Sequence, residues 1–200
     1  MSLFKKFFGS VNDPSDEGNE SEFNNSATNL SLPVDERFTF NFRKNGGKFL
    51  YCENLNEVKE QFENILEEND WFESEAICYE PKLFSMLEEN KIGYDKPMNP
   101  KFLLATCENL IADEGSVLFS SSQIKQNKIN DLPTSMIILA TTSQIQECTS
   151  DGLRMIKKKY EKDYPTNITT IKYFEKVKEE NFLHYGSSAK NLYLLLLEDL

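Results

Sequence analysis

Five consecutive apolar residues, Met136-Ile137-Ile138-Leu139-Ala140, constrain this chain more than any other stretch. A strand with one wet face alternates apolar and polar side chains. A continuous apolar run is instead covered on both faces, as in a parallel sheet. Leu132-Pro133 breaks the chain just before it, because proline has no amide donor and a fixed φ. The run therefore predicts an interior strand, and the rest of the sequence has to supply what covers it.

Other segments meet that need. Ser116 to Phe119 is a short apolar run that opens after Gly115 and closes in Ser120-Ser121-Ser122, which suits a buried strand. Lys48 to Cys52, Ala76 to Tyr79, Phe102 to Ala105 and Ile168 to Phe174 read as further strands, and Leu192 to Leu197 is apolar enough to be buried on all sides. Leu55 to Asn69 is the clearest helix. Leu55, Val58, Phe62, Ile65 and Leu66 form its stripe, Asn54 and Glu57 resemble a capping box, and Asn69 is the expected stop. Its carboxylates lie mainly off the stripe and read as a solvated face. Pro81 to Asn90 predicts another helix, with proline at a favourable first position. Thr142 or Ser143 caps a short helix, and Ser150 or Asp151 caps the next, on which Leu153, Ile156 and Tyr160 share one face. Phe38, Phe40 and Phe42 alternate like a strand, while Gly46-Gly47 equally suits a helix C-cap, so both readings stand. Strands alternating with helices from Lys48 onward predict an α/β fold with a mostly parallel sheet flanked by helices.

Charge and cysteine usage narrow the function classes. The formal net charge of −11 over 200 residues disfavours general binding to nucleic acid or anionic membrane, where phosphates must be neutralised by Lys and Arg. Cys52, Cys78, Cys107 and Cys148 contain no C-x-x-C pair, so they predict reduced thiols and no metal. His184 is the single histidine and reads as a structural group. Leu3 to Phe8 is too short and too charged for the apolar core of a secretory signal. No stretch reaches the ~20 apolar residues of a membrane span. The expected compartment is the cytoplasm.

The amino terminus divides from the rest. Residues 1–34 read as a basic, aromatic tip followed by a flexible linker, and residues 35–200 as the α/β domain. In the tip, Leu3, Phe4, Phe7 and Phe8 lie on one side and Lys5 and Lys6 on the other, a pattern suited to docking on a partner groove or a membrane surface. Residues 9–32 are rich in Asn, Ser, Asp, Glu and Gly and bury too little to offset their ordering entropy.

The series IADEGSVLF, then LPTSMIILATTSQI, then LRMI resembles the LUD domain, the lactate-utilisation family of LutC- and YkgG-like proteins. Ala112, Asp113, Gly115 and Ser116 stand at the family's small-residue turn, followed by Leu132-Pro133 and Met136 to Ala140. Gly46-Gly47 and the Gly186-Ser187-Ser188 turn also match, over roughly residues 35–200, in the manner of compact Bacteroidetes-type members. Glu114 departs from the family's threonine, and Ala189, Lys190 and Asn191 replace the residues that often follow the last turn. The resemblance implies a layered α/β domain of the NagB/RpiA/CoA-transferase type. It also implies an accessory role in oxidising L-lactate to pyruvate, with no cofactor on this chain and iron–sulfur clusters on partner subunits.

The candidate ligand surface is then a set of turns: Asp113, Gly115 and Ser116; Ser121 and Ser122; Thr142; and Gly186, Ser187, Ser188 and Lys190. Small hydroxyl residues at strand ends suit a carboxylate or phosphate. Two other readings remain. Glu114 is the candidate nucleophile of an acyl- or CoA-transfer enzyme, and the Leu3 to Phe8 tip is the contact element of a non-catalytic interaction module.

Overall fold

The computed structural model describes residues 32–174 and 190–199. The tip residues Leu3, Phe4, Phe7 and Phe8, together with His184 and Gly186, Ser187 and Ser188, lie outside the described residues. The elements from Val34 to Leu197 belong to one unit, Pro33–Leu200.

The apolar run forms strand β6, Ser135–Thr141, in the middle of a five-stranded sheet. Its neighbours are β3 (Phe102–Thr106) and β9 (Asn191–Leu197), both parallel to it, with Ile137 in register with Leu104 and Tyr193. Outside them lie β1 (Lys48–Cys52) beside β9 and β2 (Ala76–Ile77) beside β3, again parallel. Met136, Ile137, Ile138, Leu192, Leu194 and Leu195 are wholly buried. Neighbouring residues on a strand point to opposite faces, so the sheet is covered on both sides, as its hydrophobicity requires.

One face is covered by α2, Leu55–Asn69, which packs on β1 and β9. Val58, Phe62, Ile65 and Leu66 join Phe102, Leu104, Ile137, Tyr193 and Leu195 in a single cluster. Each such side chain contributes roughly 1.5–3 kcal/mol of burial. Asn54 caps the helix by accepting from the amides of Asn56 and Glu57, and Glu57 answers by accepting from the Glu53 amide at 2.8 Å. The helix runs over the expected residues, with its left-handed cap on Asp70, φ 53°, just after Asn69. One detail differs from the sequence expectation: Leu55, read as part of the stripe, is 62% exposed. The expected strand Ala76 to Tyr79 is only two residues long. The helix predicted from Pro81 opens as a 3-10 turn, Pro81–Leu83, and continues as α3, Phe84–Glu89.

The phenylalanine pattern before Gly46 is a helix, α1, Val34–Lys44. Phe38 and Phe42, four residues apart, stack at 5.4 Å on the buried face while Phe40 is 45% exposed. Asp35 and Glu36 at its start and Arg43 and Lys44 at its end complement the helix dipole.

A second, mixed sheet was not anticipated. Its order is β7 (Ile145–Gln146), β4 (Asn109–Ile111), β5 (Ser116–Ser120), β8 (Ile168–Ile171). β4 and β5 form an antiparallel hairpin, so the Ser116 run, expected as a buried strand, sits in this sheet. The hairpin turn presses on α1. Gly115 has φ +59°, and a Cβ there would lie 2.3 Å from the Asn41 carbonyl carbon, so only glycine fits. Ser120 caps the one-turn α4, Ser121–Ile124. Helix α5, Thr149–Tyr160, opens with Cys148 at its N-cap, two residues before Ser150 and three before Asp151.

Candidate functional site

Ligands of open α/β sheets bind beyond the carboxyl ends of the strands. Among the carboxylates at those ends are Glu80 after β2, Glu108 after β3 and Asp199 after β9. Each is wrapped by donors of this chain.

Glu108 is the most enclosed, with its side chain 1% exposed. Its Oε1 accepts from Ser120 Oγ at 2.6 Å, Gln123 Nε2 at 2.9 Å and Tyr160 Oη at 2.7 Å, while Oε2 accepts from Lys159 Nζ at 2.8 Å. Tyr160 Oη also lies 3.0 Å from Ser122 Oγ. The phenol has one proton and the carboxylate can only accept it, so the Ser122 hydroxyl donates to the phenol. A relay results, from half-buried Ser122 through Tyr160 to a buried carboxylate. Burial opposes the charge of Glu108, but the bonds from Lys159, Ser120, Tyr160 and Gln123 outweigh it and hold the carboxyl below its usual range. A carboxylate held on its charged side is an anchor for hydrogen bonds. It is a poor general base near neutral pH, where the useful pKa lies close to the operating pH.

Glu80 accepts from the Thr106 amide at 2.7 Å and from the Thr106 hydroxyl at 2.8 Å, tying the segment after β2 to the end of β3. Asp199 Oδ1 accepts from Thr142 Oγ1 and the Ser143 amide, both at 2.9 Å, and its Oδ2 accepts from Ser143 Oγ at 2.7 Å. These bonds hold its carboxyl below the usual range against the opposing effect of burial. Between the two, Gln144 Nε2 donates to the Cys107 carbonyl at 2.7 Å and the Glu108 carbonyl at 3.1 Å. Three cysteines also sit at this edge, at or just after β1, β2 and β3. Burial pushes the Cys52 thiol up to about 12 and the Cys78 thiol up to about 11, and it raises Cys107 as well. Reactive thiolate is therefore scarce there at neutral pH. Among the described residues, no group of three His, Cys, Asp or Glu side chains is placed to hold a metal ion. No described helix is long and apolar enough to cross a membrane.

The turn residues expected to bind a ligand are spread over the domain. Asp113 pairs with the buried Arg37, Nε to Oδ1 3.3 Å, and Glu147 takes the same guanidinium at 3.0 Å. Ser116 is fully buried and its hydroxyl has no hydrogen-bond partner among the described residues. Asn41 Nδ2 donates to the Ala112 carbonyl at 2.8 Å and Asn45 Nδ2 to the Glu114 carbonyl at 2.7 Å, so α1 clamps the turn that holds Gly115. The Glu114 carboxylate accepts from Thr149 Oγ1 at 3.1 Å, at the start of α5. Ser121 and Ser122 follow β5, at the opposite end of the hairpin from Asp113 and Ser116; Ser121 Oγ accepts from the Thr166 amide at 3.2 Å. Thr142 holds Asp199 at the carboxyl end of β6. Lys190 precedes β9 at the other end of the same strand pair, where its Nζ donates to the carbonyls of Leu132 at 2.8 Å and Pro133 at 3.0 Å. Burial lowers the pKa of Lys190. Among the described residues of the expected set, only Ser122 and Thr142 reach the carboxylate-bearing edge.

Sequence reading missed Glu80, Glu108, Gln144, Lys159, Tyr160 and Asp199 as members of these networks. The one visible signal was Cys107-Glu108-Asn109, a polar break between the apolar runs of β3 and β4.

No family model matches the chain, and no curated protein matches it. Among solved structures, the chain is similar to a DUF162 family protein from Deinococcus radiodurans. The TM-score is 0.58 and the sequence identity 10%, over 83% of this chain and 96% of that one. At that identity the likeness is one of fold.

Proposed function

We propose that this chain is a LUD-type domain serving as an accessory subunit of an L-lactate-oxidising assembly. DUF162 is the LUD domain family, and the reading is carried by the fold likeness to its member over 83% of this chain and 96% of that one. The ordered series from Ala112 through Ala140, which resembles that family, supports it. So does the carboxyl edge of the sheet, where Glu80, Glu108 and Asp199 spend their oxygens on this chain's own donors. Such groups fix a scaffold. In the assembly, L-lactate gives up two electrons and two protons to become pyruvate, and the iron–sulfur clusters that take the electrons belong to partner subunits.

A tagged full-length chain recovered gently from the source cells tests this. Iron–sulfur proteins should co-purify, with L-lactate-dependent reduction of an artificial electron acceptor in the recovered material. Recovery of the chain alone, without that activity, would refute the proposal.

A further inference from the structure

At the opposite, amino end of the sheet, a cavity of about 190 Å³ opens between β1, β9 and α2. Its floor is apolar: Leu50, Ile65 and the ring of Tyr193, which is 2% exposed. Gln61, Ile65 and Glu68 reach it from α2 at i, i+4 and i+7, which puts them on one helix face. Two opposite charges stand at its mouth. Lys48 Nζ lies 3.2 Å from Glu68 Oε1, with the side chains 45% and 58% exposed.

Lys48 does not depend on Glu68 for its position. Its ammonium donates to Tyr193 Oη at 2.5 Å and sits 4.1 Å from the centre of the same ring. Asn69 Nδ2 donates to that phenol oxygen at 3.0 Å, fixing the acceptor from the far side. The cation is thus anchored from below by a buried group, while its contact with Glu68 is an exposed ion pair of the weak kind.

We propose that this cavity binds a small apolar amino acid as its zwitterion. The ligand carboxylate takes Lys48, the ligand ammonium takes Glu68, the Gln61 amide adds a hydrogen bond, and the aliphatic side chain lies on Leu50, Ile65 and Tyr193. The volume is below the ~300–1,000 Å³ typical of pockets for drug-sized ligands, which suits a single amino acid. A simple anion meets repulsion from Glu68, and a simple cation meets it from Lys48. A molecule carrying both charges replaces one weak contact with two. This site lies away from the carboxyl edge and does not depend on the lactate-related role.

Isothermal titration of the full-length protein tests it, with L-leucine as the probe. Isocaproate lacks the ammonium, isoamylamine lacks the carboxylate, and leucic acid carries a hydroxyl in place of the ammonium. Leucine should bind saturably at one site per chain, and each of the other three at least about tenfold more weakly, a difference of about 1.4 kcal/mol. Glu68→Gln, a change at an exposed side chain that leaves the fold intact, should weaken leucine by about the same factor and strengthen isocaproate, which no longer meets the repulsion of the Glu68 charge. Lys48→Met should weaken both. Absence of saturable leucine binding in the millimolar range, isocaproate or leucic acid equal to leucine, or a Glu68→Gln protein with unaltered leucine affinity would each overturn the proposal.

Discussion

Replacing Glu108 with alanine removes the acceptor at the centre of the carboxyl-edge network and strands its donors. Ser120 is 0% exposed and Gln123 4%, so neither finds water in exchange. Each buried donor left unpaired costs about 1–3 kcal/mol. Half-exposed Lys159 adds less than about 1 kcal/mol, because solvent screens it. Ser120, Gln123 and Tyr160 share Oε1, so their losses do not add. The cost of breaking a buried charged cluster, about 3–5 kcal/mol, is the appropriate magnitude. Urea denaturation followed through Trp71 fluorescence reads it directly, and a fall in Tm of roughly 6–20 °C should accompany it. The conservative Glu108→Gln variant isolates the charge. The pKa of Glu108 is lowered in the fold, while the unfolded value is about 4.3. The unfolded chain therefore binds the proton more tightly. The stabilisation from ionised Glu108 is complete above about pH 4.3 and is lost as pH falls through the folded value. The stability gap between wild type and Glu108→Gln should be constant near neutrality and shrink on acidification below that point. A Glu108→Ala cost under about 1 kcal/mol, or a Glu108→Gln gap that does not change with acid, would refute the account of this network.

Three further outcomes follow from the packing. Gly115→Ala should destabilise by more than about 1 kcal/mol in chemical denaturation, because the residue has φ +59° and its Cβ would strike the backbone of α1. Phe42→Ala should cost about 3–5 kcal/mol by the same measurement, since the ring is fully buried and packs on Phe38 at 5.4 Å and Phe174 at 4.8 Å. Under native conditions at neutral pH, iodoacetamide should label Cys148, which is half exposed, well before Cys52 and Cys78, whose thiols burial pushes up to about 12 and about 11. Peptide mapping distinguishes them, and equal labelling would contradict the burial described.

The central sheet was legible because its signals are local and long. Met136 to Ala140 and Leu192 to Leu197 are near-continuous apolar runs, and α2 repeats its stripe over four turns. The phenylalanines before Gly46 were ambiguous because both periods fit five residues: Phe38, Phe40 and Phe42 alternate, yet Phe38 and Phe42 also share a helix face. The second sheet was hidden by size, since β4 has three residues and β7 two, and their pairing depends on distant segments. The carboxyl-edge network was less visible still. The partners of Glu108 come from 12, 15, 51 and 52 residues away, and no local pattern joins them. Lys190 shows the opposite failure. Beside a small-residue turn it reads as a free cation, but the fold gives its ammonium to two backbone carbonyls, because those buried acceptors need a donor.

The central claim is that this chain supports L-lactate oxidation without carrying the redox centres. The most direct measurement is L-lactate-dependent reduction of an artificial acceptor in extracts of source cells lacking the chain, before and after adding back the purified full-length protein. The account predicts low activity that recovers in proportion to the protein added until the partner subunits are saturated. Activity equal to that of unmodified cells in the absence of the chain would contradict it.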